Sequence, residues 1–216
     1  MDVLRTLKER CDPKYAALIV VDVQNDFVSP DGSAGKRGED VSASLAMVPR
    51  LMRLIDEARR VGLTIVYIKT THSEWTDTPS WIYRSSQKSG LNTCREGSWG
   101  AEFYEGISPL PSERVVIKHR YSAFINTDLN TVLKARGVQS VLVTGVATNV
   151  CVETTARDAY MFDYYVTMVE DCAAAYDARL HMATLENVRR HFGLVAASEE
   201  IIETWSGLPQ KVAAGL

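Results

Sequence analysis

The sequence predicts a doubly wound α/β domain, a parallel sheet covered by helices on both faces. Three observations carry that expectation. Strand-like and helix-like segments alternate from end to end, which calls for right-handed βαβ crossovers. The run at 17–21 is wholly apolar and rich in β-branched residues, as a strand buried on both faces must be. No internal repeat or low-complexity linker divides the 216 residues, a length that suits one domain with a full core.

The elements follow in order. After the strand at 17–21 and a polar loop, Leu45, Val48, Leu51, Met52, Ile55 and Ala58 recur at helical spacing, and Gly62 stands where a helix stops. A second strand is expected at 63–68 and a third at 114–117. Leu129, Val132 and Leu133 mark a helix that ends by Gly137. The fourth strand is expected at 140–143, with a helix from about Val150. A fifth strand at 165–169, a helix at 177–191 and a sixth strand at 194–197 complete the alternation, and Ser198 is placed to cap a last helix. One segment breaks the rhythm. Residues 70–111 are polar, weakly periodic and rich in Gly, Ser and Trp, which predicts a single inserted excursion serving as a lid or subunit interface. Trp75, Trp81 and Trp99 lie in it, suited to covering a site or burying an interface.

Composition narrows the class. Hydrophobic residues make up 46% and charged residues 24%, the mixture of a soluble globular protein. The net charge is −3 and no Lys/Arg-dense stretch occurs, which argues against nucleic acid as a partner. No run approaches the apolar length of a membrane span, and the first dozen residues lack a signal-peptide core, so no membrane partner and a cytoplasmic location are expected. Cys11, Cys94, Cys151 and Cys172 form no C-x-x-C pair and suit neither a zinc cluster nor a disulfide framework.

In a doubly wound sheet, ligands bind beyond the carboxyl ends of the strands. Strand one runs out into Asp22, strand three into Lys118, and strand four through Gly145 to Cys151 at the expected start of a helix. Each feature alone has a plain structural explanation. A charged residue after a buried strand is commonly a cap, and a free cysteine is commonly a small core residue. Thr148 or Asn149 is the expected N-cap ahead of Cys151, and the N–H groups of a helix start lower a thiol's pKa and can stabilise an oxyanion. On the catalytic reading Asp22 is placed to serve as base for Cys151, with Lys118 holding Asp22; on the structural reading Cys151 is a small core residue, and spacing alone favours neither.

The block around Asp22 (Val21-Asp22-Val23-Gln24-Asn25-Asp26-Phe27), the block from Lys118 to Phe124, and Thr144-Gly145-Val146-Ala147-Thr148-Asn149-Val150-Cys151-Val152-Glu153 together resemble the isochorismatase-like cysteine hydrolases. The resemblance spans nearly the whole chain. It implies a Rossmann-like three-layer α/β fold with a six-stranded parallel sheet and helices on both faces, assembled as a homodimer or homotetramer. It also implies Asp22 as general acid/base, Lys118 as its partner, Cys151 as nucleophile, and no cofactor. The oxyanion hole would use the backbone N–H groups of Ala147 and Cys151, with a cis peptide between Val146 and Ala147.

Departures from the family pattern narrow the substrate. Nicotinamidases in this family carry an Asp-x-His metal site after the second strand; here the stretch is Thr70-Thr71-His72, so no metal is expected. Isochorismatases proper cleave a vinyl ether and generally lack the cysteine, so Cys151 favours amide chemistry. The blocks Arg120 to Phe124, Glu96 to Trp99 and Val146 to Cys151 are similar to the ureidoacrylate, biuret, triuret and N-carbamoylsarcosine amidohydrolases. Thr70, His72, Glu74 and Trp75 replace the Asn-x-Trp pattern of the ureidoacrylate enzymes, which turns the expectation towards biuret- or triuret-like substrates. The partner expected is therefore a small ureido or amide compound, contacted by Phe27, His72, Trp75 and Tyr121. The competing readings are an isochorismatase-type or nicotinamidase-like hydrolase and a non-catalytic binding protein. Arg120 is expected to pair with an acidic neighbour, and Asp171, at the end of strand five, to brace a loop.

Overall fold

Strands without a polar face must be covered twice, and this requirement organises the molecule. The computed structural model describes residues 3–87 and 92–211. Six strands, β1 (Ala16–Val21), β2 (Thr64–Thr70), β3 (Arg114–Lys118), β4 (Ser140–Val146), β5 (Tyr165–Ala174) and β6 (Gly193–Ala196), form one sheet in the order β3-β2-β1-β4-β5-β6. Every pairing is parallel. The helices are α1 (Leu7–Arg10), α2 (Asn25–Val28), α3 (Ser33–Lys36), α4 (Ser42–Val61), α5 (Pro79–Ser86), α6 (Leu129–Ala135), α7 (Glu153–Met161), α8 (Ala178–Asn187) and α9 (Ser198–Thr204). No helix among the described residues is long and apolar enough to cross a membrane.

Alternate residues of β1 feed two cores. Leu18 and Val20 pack with Leu51, Leu54 and Ile55 of α4 and with Ile201 and Trp205 on and after α9. Ala17, Ile19 and Val21 pack with Leu129 and Leu133 of α6, Ala156 and Ala159 of α7, and Leu185 of α8. Each large aliphatic side chain buried this way contributes roughly 1.5–3 kcal/mol. Gly62 ends α4 in the left-handed region at φ 71°, as its place in the sequence predicts.

The strand order places the site. The chain moves outward from β1 through β2 to β3, then returns to lay β4 on the other side of β1. The crevice of a doubly wound sheet opens at such a reversal. Asp22 leaves β1 there, and Val146 ends β4 beside it. The two strands are pressed so close that a Cβ on Gly145 would fall 1.9 Å from Val21 O, and the Gly145 φ of +107° excludes other residues on backbone grounds as well.

Several boundaries differ from expectation for local reasons. β2 and β4 run on to Thr70 and Val146 because the backbone keeps pairing through polar and glycine residues. β5 continues past Asp171 to Ala174 after an irregularity, with Val143 opposite Met168 and Gly145 opposite Ala173. Asp171 thus lies inside β5, and its carboxylate accepts bonds from Ser198 N and Ser198 Oγ, both at 2.7 Å, pinning the start of α9. Ser198 is the first residue of α9 rather than its cap. Neither Thr148 nor Asn149 caps the helix after β4. A π-helical turn, Thr148–Val152, follows Ala147 directly, and the Thr148 hydroxyl is bonded to His181 Nδ1 at 2.9 Å. The excursion after β2 contains α5, begun by Thr78 and Pro79.

Candidate active site

The first turn after β1 builds the acidic group. Asp22 takes φ 52°, a left-handed conformation that a side-chain-bearing residue adopts at a cost of about 1–2 kcal/mol. Its N–H still bonds Ile68 O at 3.1 Å, so the chain stays tied to β2 while it turns. Thr70 Oγ1 donates to Asp22 Oδ1 at 2.9 Å, and Lys118 Nζ lies 2.8 Å from Asp22 Oδ2. Asp22 is 0% exposed and Lys118 1%. Lys118 reaches the pair from the end of β3 and also donates to Arg120 O at 3.0 Å. Apart from the ion pair, Asp22 Oδ2 accepts no well-aligned hydrogen bond, which leaves it the oxygen able to take a proton.

Cys151 sits in the π-helical turn, buried against the same pair. Its thiol is pushed up to about 12: burial is the main cause, Asp22 adds to it, and Lys118 works against it. The lowering expected from a helix start does not appear, because desolvation of the sulfur, reinforced by Asp22, outweighs the Lys118 charge. The resting group at neutral pH is therefore a thiol. Burial pulls the Lys118 ammonium down, but the Asp22 carboxylate and the Cys151 sulfur hold it above its ordinary value. The Val146–Ala147 peptide is cis.

Beside this trio lies a cavity of about 420 Å³, bordered by Lys118, Ala147, Cys151, Phe27, His72 and Tyr121. Trp75 does not border it. A turn closed by Thr76 N and Asp77 N on Ser73 O carries Trp75 away, and it is 89% exposed. Trp81 of α5 serves as the aromatic wall instead: its ring lies 4.7 Å from His72 and 5.3 Å from Tyr121. Arg120 pairs with no carboxylate among the described residues, contrary to expectation. Its guanidinium lies 5.2 Å over Trp81 and donates to Thr76 O and His119 O, so it fastens the excursion to the end of β3.

His72 is buried against Trp81 with Nδ1 3.9 Å from Asp77 Oδ1, beyond hydrogen-bonding reach. Burial depresses its pKa to about 4, with Asp77 opposing. A depressed folded-state value means the neutral ring stabilises the fold above pH 6.5, and that contribution is lost as pH falls towards 4. Urea unfolding of His72→Gln and the parent between pH 7 and pH 4 is expected to show the parent losing up to about 1.4 kcal/mol per pH unit more than the variant. Parallel curves would show that His72 keeps an ordinary pKa.

Three residues that the sequence reading does not single out hold the site together. Gln24 Nε2 donates to Thr70 O at 2.8 Å and to Ala101 O at 2.7 Å, while its Oε1 accepts from Thr70 N at 2.7 Å. Asn25 Nδ2 donates to Trp99 O at 2.8 Å. The Asp26 carboxylate accepts from Ser33 N at 2.8 Å and from Cys94 N at 2.6 Å. Gly100 packs so tightly on that carboxylate that a Cβ would fall 2.2 Å from Asp26 Oδ2. The polar run after Asp22 was the available signal: two amides and a carboxylate entering a buried turn need partners. Among the described residues, no group of three or more His, Cys, Asp or Glu is placed to hold a metal ion.

Sheet order, switch-point crevice and motif blocks agree with one family. The Isochorismatase domain model matches residues 16–200, and the chain belongs to the isochorismatase family. It is similar to the ureidoacrylate amidohydrolase RutB of Caulobacter vibrioides, 32% identical over 218 residues that cover 91% of this chain and 94% of that protein. Among solved structures, a cysteine hydrolase from Pseudomonas syringae pv. phaseolicola 1448A matches with a TM-score of 0.81 at 26% identity, covering 94% of this chain and 97% of that one. N-carbamoylsarcosine amidase from Thermoplasma acidophilum matches with a TM-score of 0.71 at 28% identity, over 86% of this chain and 97% of that chain.

Proposed function

We propose that this chain is a cysteine-dependent amidohydrolase that cleaves the C–N bond of a small ureido or carbamoyl compound and releases ammonia. The carrying observation is the buried Asp22–Lys118 pair, with Asp22 Oδ2 short of a hydrogen bond, set against a thiol that burial keeps protonated. Asp22 takes the Cys151 proton as the sulfur attacks the carbonyl carbon, and the carbonyl π electrons move to oxygen. The N–H groups of Ala147 and Cys151 receive that oxyanion. Collapse breaks the C–N bond, and Asp22 returns the proton to the departing nitrogen, leaving an S-acyl enzyme. Asp22 then deprotonates a water that attacks the acyl carbon, the C–S bond breaks, and the proton passes back to sulfur. Lys118 keeps Asp22 oriented and balances charge at each stage. No step calls on a cofactor.

The cavity has room for a small ureido compound. Two relatives named for ureido or carbamoyl substrates, the ureidoacrylate amidohydrolase and the N-carbamoylsarcosine amidase, support this class. The excursion after β2 reads as a wall of the site, since Asp77, Trp81 and Thr93 line the cavity from it. With Trp75 outside the cavity, the departure at that position no longer speaks against ureidoacrylate, whereas Thr70 and His72 do border the cavity. Ammonia release from a panel of biuret, triuret, ureidoacrylate, N-carbamoylsarcosine and nicotinamide tests the assignment. Turnover of at least one ureido or carbamoyl member, well above nicotinamide, is expected; no turnover of any of them would overturn the substrate class.

A further inference from the structure

Among the described residues, four cationic side chains border the cavity, Arg37, Arg84, Lys118 and Arg120, against one carboxylate, Asp77. Most of these charges already have partners. Lys118 is paired with Asp22, Asp77 is bound by Arg95 at 2.5 Å, and Arg120 is engaged with backbone carbonyls. Arg84 is exposed on α5 at the rim.

Arg37 differs from all three. It follows α3, with Nη1 donating to Ser33 Oγ at 2.7 Å and to Thr93 Oγ1 at 3.2 Å. Those two hydroxyls are themselves 2.7 Å apart, so they fix the guanidinium without neutralising it. Its Nε is buried with no hydrogen-bond partner, and it enters no ion pair among the described residues. That nitrogen has no surface a ligand could reach, so what Arg37 offers the cavity is the charge of its terminal nitrogens, which no carboxylate among the described residues meets. Tyr176 flanks the same end of the cavity: its hydroxyl donates to Phe27 O at 3.0 Å, and the Arg37 charge counters part of the rise that burial imposes on the phenol. The group matching a fixed, unpaired guanidinium fork is a carboxylate. A neutral urea oligomer offers it no charge to pair.

We infer that Arg37 anchors a substrate carboxylate, so that the compound cleaved at Cys151 is an anionic ureido acid rather than a neutral urea oligomer. This rests on the amidohydrolase assignment above and adds its substrate class.

The test uses two probes that share the reacting ureido end, 3-ureidopropionate and its neutral primary amide. Their binding is measured by calorimetry on the Cys151→Ala protein, where no turnover intervenes. The acid is expected to bind about 30-fold tighter than the amide, the scale of one charge-assisted contact. Adding Arg37→Met is expected to bring the acid-to-amide ratio close to one, and Arg37→Lys to keep part of it. Retained binding of the amide reports that the variant is folded; should Arg37→Met fail that check, Arg37→Lys decides, because lysine keeps the charge and loses the fork. An acid-to-amide ratio near one in the Cys151→Ala protein, or a ratio untouched by both substitutions, overturns the inference. The two assignments fail separately: ureido turnover by the wild-type chain without an Arg37-dependent preference sinks only the anchor. An Arg37-dependent preference without any turnover sinks the amidohydrolase assignment and leaves the anchor standing.

Discussion

Cys151→Ala is expected to remove ammonia release altogether, by a factor of roughly 10⁴ or more, as loss of a covalent nucleophile does. Cys151→Ser is expected to fare no better despite its similar size, because the alcohol needs a far stronger base than Asp22. Continuous ammonia assays on purified, folded variants measure both. Substantial activity in Cys151→Ala would overturn the nucleophile assignment and direct attention to chemistry that needs no thiol. The same site geometry sets a second readout. Burial holds the Cys151 thiol at about 12, so iodoacetamide is expected to label it slowly at neutral pH, faster as pH rises towards that value. Rapid labelling at pH 7 would mean that the thiolate forms without help, and Asp22 would lose its role as base.

The second large effect concerns the buried ion pair. Lys118→Met strands the Asp22 carboxylate, buried away from bulk solvent, without its partner, and removing one partner of such a pair costs about 3–5 kcal/mol. Asp22→Asn strands the ammonium instead. The combination Asp22→Asn with Lys118→Met replaces the pair by an amide and an apolar chain of similar volume, and is expected to recover most of the lost stability while remaining inactive. Urea unfolding of the three variants, set beside their ammonia release, separates the two contributions of the pair. If Lys118→Met cost less than about 1 kcal/mol, the range of a surface pair, the site would have to be wet and the proton logic recast.

Much of this was open to reading from the chain alone. The alternation of strands and helices is written in apolar periodicity, and Asp22, Lys118 and Cys151 stand where strands run out, so the topology that brings them together follows from pattern. What escaped reading depends on tertiary detail. Trp75 and Trp81 lie six positions apart in a segment without period, and only the turn at Ser73 decides which of them faces inward. Thr148 is a good N-cap residue by type, but His181 claims its hydroxyl. A helix start promises a more acidic thiol, yet that promise assumes solvent, and Cys151 is out of reach of it. Arg37 carries no mark in the sequence, because being unpaired is a property of its surroundings.

The three side chains after Asp22 have a consequence for how this scaffold changes over time. The excursion is fastened at both feet: Gln24 grips Thr70 at one and Ala101 at the other, Asp26 holds Cys94, and His72 bridges Arg95. The stretch between the feet carries Trp81, Arg84 and Thr93 to the cavity. The described part of that stretch can therefore change without loosening Asp22, since the grips close the frame independently of what hangs from it. New substrate preferences would arise by rewriting the hanging stretch, while the reacting centre is inherited unchanged.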